Sequence, residues 1–95
     1  MTNIKFKNIE SSVIEEVDLG VHGYMNLTME VGHYVPKRGG LHDFDKYWCA
    51  EVKRIDVIAV DGDRDSNVIG YYNDVVNRLL RVGKIEAEVL ERIHN

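Results

Sequence analysis

"FDKYWCAEVKRIDVIAV", residues 44–60, is the longest stretch with an apolar pattern, and its period decides the fold. Its end, "DVIAV", is β-branched, which favours a strand. Strict alternation fails, because Glu51 and Lys53 would then share a face with Ile55 and Val57. At about 100° per residue the pattern is cleaner: Phe44, Tyr47, Trp48, Val52, Ile55, Ile58 and Ala59 gather on one side, with Lys46, Lys53 and Asp56 opposite. Asp43 then stands as N-cap, and Asp45 suits the positive end of the helix dipole. The period predicts a helix over about 43–60 with Trp48 in its buried face.

Downstream, Asn67 is expected to cap a second helix over about 68–82. Val68, Tyr72, Val75, Val76, Leu79 and Val82 form its apolar face, Asn73, Asn77 and Arg81 lie outside, and Gly83 stops it. "KIEAEVLERI" reads as a third helix over about 84–93, through Ile85, Val89 and Ile93.

Upstream the period is two. "YMNLTMEV" places Met25, Leu27, Met29 and Val31 on one face. "VIEEVDL" places Val13, Val17 and Leu19 together, and "IKFKN" sets Ile4 and Phe6 against Lys5 and Lys7. "ESS" and "GVHG" supply turns. Residues of about 3–31 are thus expected to form a three-stranded antiparallel meander with one wet face. "VGHYVPKRGGLHD", residues 31–43, reads as a long connection, punctuated by Pro36, Gly39 and Gly40. The expected fold is α+β, a meander followed by three helices packed on one face, in a single domain over 1–95.

Composition narrows the functional classes. The 95 residues are 44% hydrophobic and 29% charged, with a formal charge of −4, which suits a soluble globule. No apolar run is long enough to span a bilayer, and "MTNIKFKNIE" has no secretory h-region. The lone Cys49 can form no internal disulfide. These features predict a cytoplasmic chain. Basic residues are scattered, with no arginine stripe, so direct nucleic-acid binding is not expected.

"AVDGDRDSN", residues 59–67, is the nearest approach to a metal motif. Asp61, Asp63 and Asp65 match positions 1, 3 and 5 of an EF-hand loop. Position 6 is Ser66 where glycine is needed, and position 12 is Tyr72 where a bidentate Glu is needed. No metal site is assigned: the stretch reads as a polar linker. His33, His42 and Asp43 offer an alternative ligand site around the 32–43 loop, but Asp43 already serves as a cap, and no zinc spacing is present. Cys49, on the flank of the first helix, has no neighbouring base. No phosphate loop or catalytic motif appears, and no cofactor or enzymatic activity is expected.

Glu51 falls within the apolar face of the first helix, between Trp48 and Ile55. A carboxylate there needs an internal partner, or else that face is open to a ligand or another protein. Acid is also uneven: residues 43–67 carry seven acidic and four basic groups, while residues 68–95 are balanced. The functional expectation is a small acidic protein-interaction module. It would be an inhibitor or adaptor that docks Asp61, Asp63, Asp65 and Glu51 on a larger partner with a basic nucleic-acid-binding surface; homodimerisation is compatible with this. Phage-encoded inhibitors of host defence proteins, such as anti-CRISPR proteins, share that size and acidity, an analogy with no motif behind it that would make this a viral protein. The alternative expectation is a small-ligand-binding domain or enzyme with a polar site around residues 32–43.

Overall fold

A computed structural model describes residues 2–8, 12–37 and 47–92, with the backbone alone at 37, 47, 48, 91 and 92. The described residues are mainly β: β1 (Thr2–Phe6), β2 (Ser12–Asp18), a 3-10 turn (Gly20–His22), β3 (Tyr24–Lys37), β4 (Tyr47–Val60), one helix α1 (Ser66–Arg81) and β5 (Ile85–Arg92). The five strands form one sheet in the order β1-β5-β4-β3-β2, and its edge strands β1 and β2 approach each other, so that the sheet nearly closes into a barrel. The expected α+β fold of three strands and three helices is therefore overturned.

The first correction concerns residues 43–60. Residues 47–60 are a strand, with Trp48 opposite Glu91; Asp43 and Phe44 lie outside the described residues. Strand alternation is real but interrupted. The side chains that β4 buries in the core are Ala50, Val52, Ile55, Val57 and Val60, so the steps run two, three, two, three. Each step of three is a bulge, an extra residue in one strand that reverses the facing of the residues beyond it. Met29 faces Val57 and Thr28 faces Ala59, leaving Ile58 extra; His33 faces Arg54 and Tyr34 faces Val52, leaving Lys53 extra. Steps of three mimic helical spacing, and the bulge at Lys53 lets Glu51 and Lys53 share the outer face while Ile55 and Val57 turn inward.

β3 shifts phase at the same place, because Val31 faces Ile55 and His33 faces Arg54, which leaves Gly32 extra. A Cβ on Gly32 would lie 2.7 Å from Asp56 Oδ2 and 3.2 Å from Arg54 Cγ, so the bare backbone gives room for the Arg54–Asp56 ion pair (3.1 Å) across it. Residues 31–37, expected as a loop, thus continue the strand. Pro36 is accommodated because β2 pairs only with residues 24–30 of β3, so no second neighbour among the described residues needs its missing N–H.

The third predicted helix is also a strand. Ile85, Ala87 and Val89 are buried while Glu86 is exposed and Glu88 half-buried, a period of two that Ala87 decides. β5 pairs in parallel with β1, from Thr2–Ile85 to Phe6–Val89, and antiparallel with β4, from Tyr47–Arg92 to Glu51–Glu88. This corrects the meander as well: β2 and β3 form the expected hairpin, but β1 joins β5 instead.

The remaining helix matches its prediction with altered ends. Asp65, not Asn67, is the N-cap, its carboxylate accepting from the N–H groups of Asn67 and Val68. At the other end Lys84 N–H donates to Leu79 O (2.9 Å) and Gly83 N–H to Leu80 O (3.3 Å). Gly83 has φ +77°, so this is a Schellman stop in which glycine takes the left-handed position. Val75 and Val76 are buried, whereas Val82, past the helix end, is 63% exposed.

Asn73 and Asn77, expected outside, instead face the sheet. β4 leaves β5 after Glu51, so the edge of its second half has no strand partner there among the described residues. α1 covers that edge. Asn77 Oδ1 accepts from Ile55 N–H (2.9 Å) and its Nδ2 donates to Ile55 O (2.9 Å) and to Asn73 O (2.7 Å). Asn73 Oδ1 accepts from Val57 N–H (2.9 Å). Four helical residues rise about 6.0 Å and two strand residues about 6.6 Å, so asparagines four apart meet strand residues two apart.

Candidate functional site

The aspartates of residues 61–65 act on the backbone. Asp61 has φ +49°, its N–H donates to Asn26 O (2.7 Å), and its Oδ1 accepts from Asn26 N–H (2.9 Å). Asp63 Oδ1 accepts from Asp65 N–H (2.9 Å), and Asp65 caps α1. All three are exposed, but each carboxylate fixes part of the turn from β4 into α1, as short polar side chains do. The triplet is a turn, a tie to β3 and a cap.

Glu51 sits on β4, half-exposed, with Oε1 3.0 Å from Lys53 Nζ. It is not in an apolar face, and no buried charged residue occurs among the described residues. Together with Glu86, Glu88 and Arg81, this pair borders a groove of about 560 Å³ where β4 and β5 part beside the end of α1. A second groove of about 550 Å³ lies between Thr2, Asp18 and the C-terminal end of α1. Neither is lined by His33, which is exposed on β3; His42 and Asp43 lie outside the described residues. Cys49 is a half-buried free thiol on β4. No group of three or more His, Cys, Asp or Glu among the described residues is placed to hold a metal ion.

The surface that stands out was missed by sequence reasoning. The turn between β2 and β3 brings His22 against α1, where it meets two successive tyrosines. The His22 ring lies 5.5 Å from Tyr71 and 6.1 Å from Tyr72, and Tyr71 lies 5.0 Å from Tyr72, all edge to face. The Tyr71 hydroxyl donates to His22 Nδ1 when that nitrogen is unprotonated (3.3 Å). Tyr72 packs against the core, while Tyr71 is 52% exposed. Beside His22, Val21 is 98% exposed, and Tyr24, two residues on, is 66% exposed.

Backbone bonds and one carboxylate hold the scaffold under this patch. Gly20 and Gly23 have φ +68° and +78°, which lets the chain reverse in five residues. Leu19 N–H donates to Gly23 O (2.8 Å) and Gly23 N–H to Gly20 O (3.0 Å). Asp18 Oδ1 accepts from Gly20 N–H (2.9 Å). Buried Leu19 anchors the base of the turn, so Val21 is held outward at the tip. The sequence signal available was "GVHG", an apolar residue and an aromatic one between two glycines.

Comparison with protein-family models, with curated proteins and with solved structures finds no match to this chain.

Proposed function

We propose that this protein is a small interaction module, an inhibitor or adaptor, that binds a larger protein through the patch formed by Val21, His22, Tyr24 and Tyr71. The observation that carries this reading is a nearly fully exposed Val21 held at the tip of a tightly bonded turn, next to rings packed edge to face. Holding an apolar side chain in water gives the free molecule nothing, whereas preorganised aromatic groups lower the entropy lost on binding. Tyrosine is also enriched among residues that dominate interface energetics.

This reading moves the contact away from Glu51 and the 61–65 turn, whose carboxylates have backbone or lysine partners. The free Cys49 thiol supports a reducing compartment such as the cytoplasm, and no helix among the described residues is long and apolar enough to cross a membrane.

The test is affinity capture from lysate of the native cell with four forms of the chain: unaltered, Val21→Asp, Tyr71→Ala and, as a surface control away from the turn, Ile14→Asp. The unaltered chain and the Ile14 variant should retain a common partner that both patch variants lose, with melting temperatures held within a few degrees. Equal retention by all four forms would contradict the proposal.

A further inference from the structure

Resting on the patch as a protein-contact surface, we infer that its occupant is a basic protein segment, one that lays an arginine or lysine against the exposed tyrosines while Val21 makes apolar contact. The charges around the patch point to it. Residues 8–36, which hold β2, the turn and most of β3, contain no Lys or Arg, but carry Glu10, Glu15, Glu16, Asp18 and Glu30. Residues 65–77, which hold the first three turns of α1, contain no Lys or Arg, but carry Asp65 and Asp74. Those two stretches therefore carry acid and no base, and the turn at 61–65 adds Arg64 as its one cation against Asp61 and Asp63.

Three of these carboxylates lie on the elements that carry the rings or lead into them. Asp18 is tied to the base of the turn through Gly20 N–H. Asp74 is exposed three residues along α1 from Tyr71, hence on the same side of the helix. Glu16 pairs in register with Asn26, whose N–H is also held by Asp61. The nearest cations are Arg78, one turn beyond Asp74 on the same side of α1, and Lys84, which lines a groove with Asp18 and Gly20; the carboxylates of these two stretches outnumber them.

Aromatic faces attract cations, and a surrounding carboxylate field steers them in. A guanidinium suits such a surface best, because it stacks on a ring and bonds a carboxylate at once. The same field repels an acidic segment or a nucleic-acid backbone. A second copy of this chain, offering Arg78, Arg81 and Lys84, is the competing occupant.

The test uses the full ¹⁵N-labelled chain and a peptide of alternating glycine and arginine, with a glycine–glutamine peptide of equal length as control. Saturable amide shifts are expected only around the turn and the first half of α1. Affinity should fall about tenfold between about 0.05 M and about 0.3 M salt, as contacts between exposed charges are screened. Tyr71→Ala should abolish the shifts, and Asp18→Asn with Asp74→Asn should weaken them several-fold; Asn at position 18 can still accept from Gly20. The inference is overturned if the arginine peptide does not bind, if it shifts the Glu51–Glu86–Glu88 groove instead, or if salt and the Asp variants have no effect. Sedimentation showing a dimer that Arg78→Gln with Arg81→Gln dissolves would also overturn it, in favour of a second copy. If the peptide fails while capture still depends on Val21 and Tyr71, the patch takes an uncharged segment: this inference fails and the contact surface stands.

Discussion

Asn77 satisfies both polar groups of Ile55 with one side chain. Asn77→Ala leaves that N–H and C=O half-buried beside a helix with no replacement, so urea unfolding should show a loss of about 1–3 kcal/mol, the cost of unpaired buried polar groups. Asp65→Ala should lose about 1 kcal/mol by removing the cap of α1, while Asp65→Asn keeps most of it. The same chemistry argues against calcium at residues 61–65. Each carboxylate already accepts a backbone N–H, and Tyr72, at the position of the bidentate Glu, lies in α1 with its ring near His22. Calorimetry should find no calcium site tighter than about millimolar; a micromolar isotherm lost in Asp61→Ala would refute this.

At the scale of elements, α1 stands where a strand would otherwise pair with the second half of β4. Hydrogen exchange should therefore show the Ile55 and Val57 amides protected, although no strand among the described residues faces them on that side, and Asn73→Ala with Asn77→Ala should release both while the β2–β3 amides stay slow. β5 supplies a second check. A helix over 84–93 puts Ala87 on its charged side, whereas the strand buries it. Ala87→Glu should cost several kcal/mol by burying an unpaired carboxylate; a loss under about 0.5 kcal/mol, as on a surface, would favour the helix. These elements also show what is legible in sequence. The pattern Met25–Leu27–Met29–Val31 and the face of α1 follow an undisturbed period, and both are found. Residues 47–60 carry two bulges, whose steps of three imitate a helix, and bulges arise from pairing with a distant strand. Ile85 and Val89 fit either period, since four residues suit both. The patch is illegible because His22 and Tyr71 are far apart in the chain and meet only in the folded molecule.

At the scale of the whole molecule, the core and the proposed contact patch separate spatially. The core runs through the inside of the sheet and the inner face of α1, with Ile4, Phe6, Leu27, Ile55, Val76 and Val89 fully buried. The patch lies at the β2–β3 turn, outside that core, apart from Tyr72 beneath it. Stability and binding should therefore respond to different substitutions: Val76→Ala should lower the unfolding free energy by about 2–4 kcal/mol, a large share of a small domain's stability, whereas Val21→Asp should leave the fold intact and remove the partner. Hydroxyl-radical footprinting of the free chain and of its captured complex puts this division to the test. Val21, Tyr24 and Tyr71 should be labelled when free and protected in the complex, while Ile14, exposed on β2 away from the turn, should be labelled equally in both. Protection of Ile14, with Tyr71 still open to label in the complex, would contradict it.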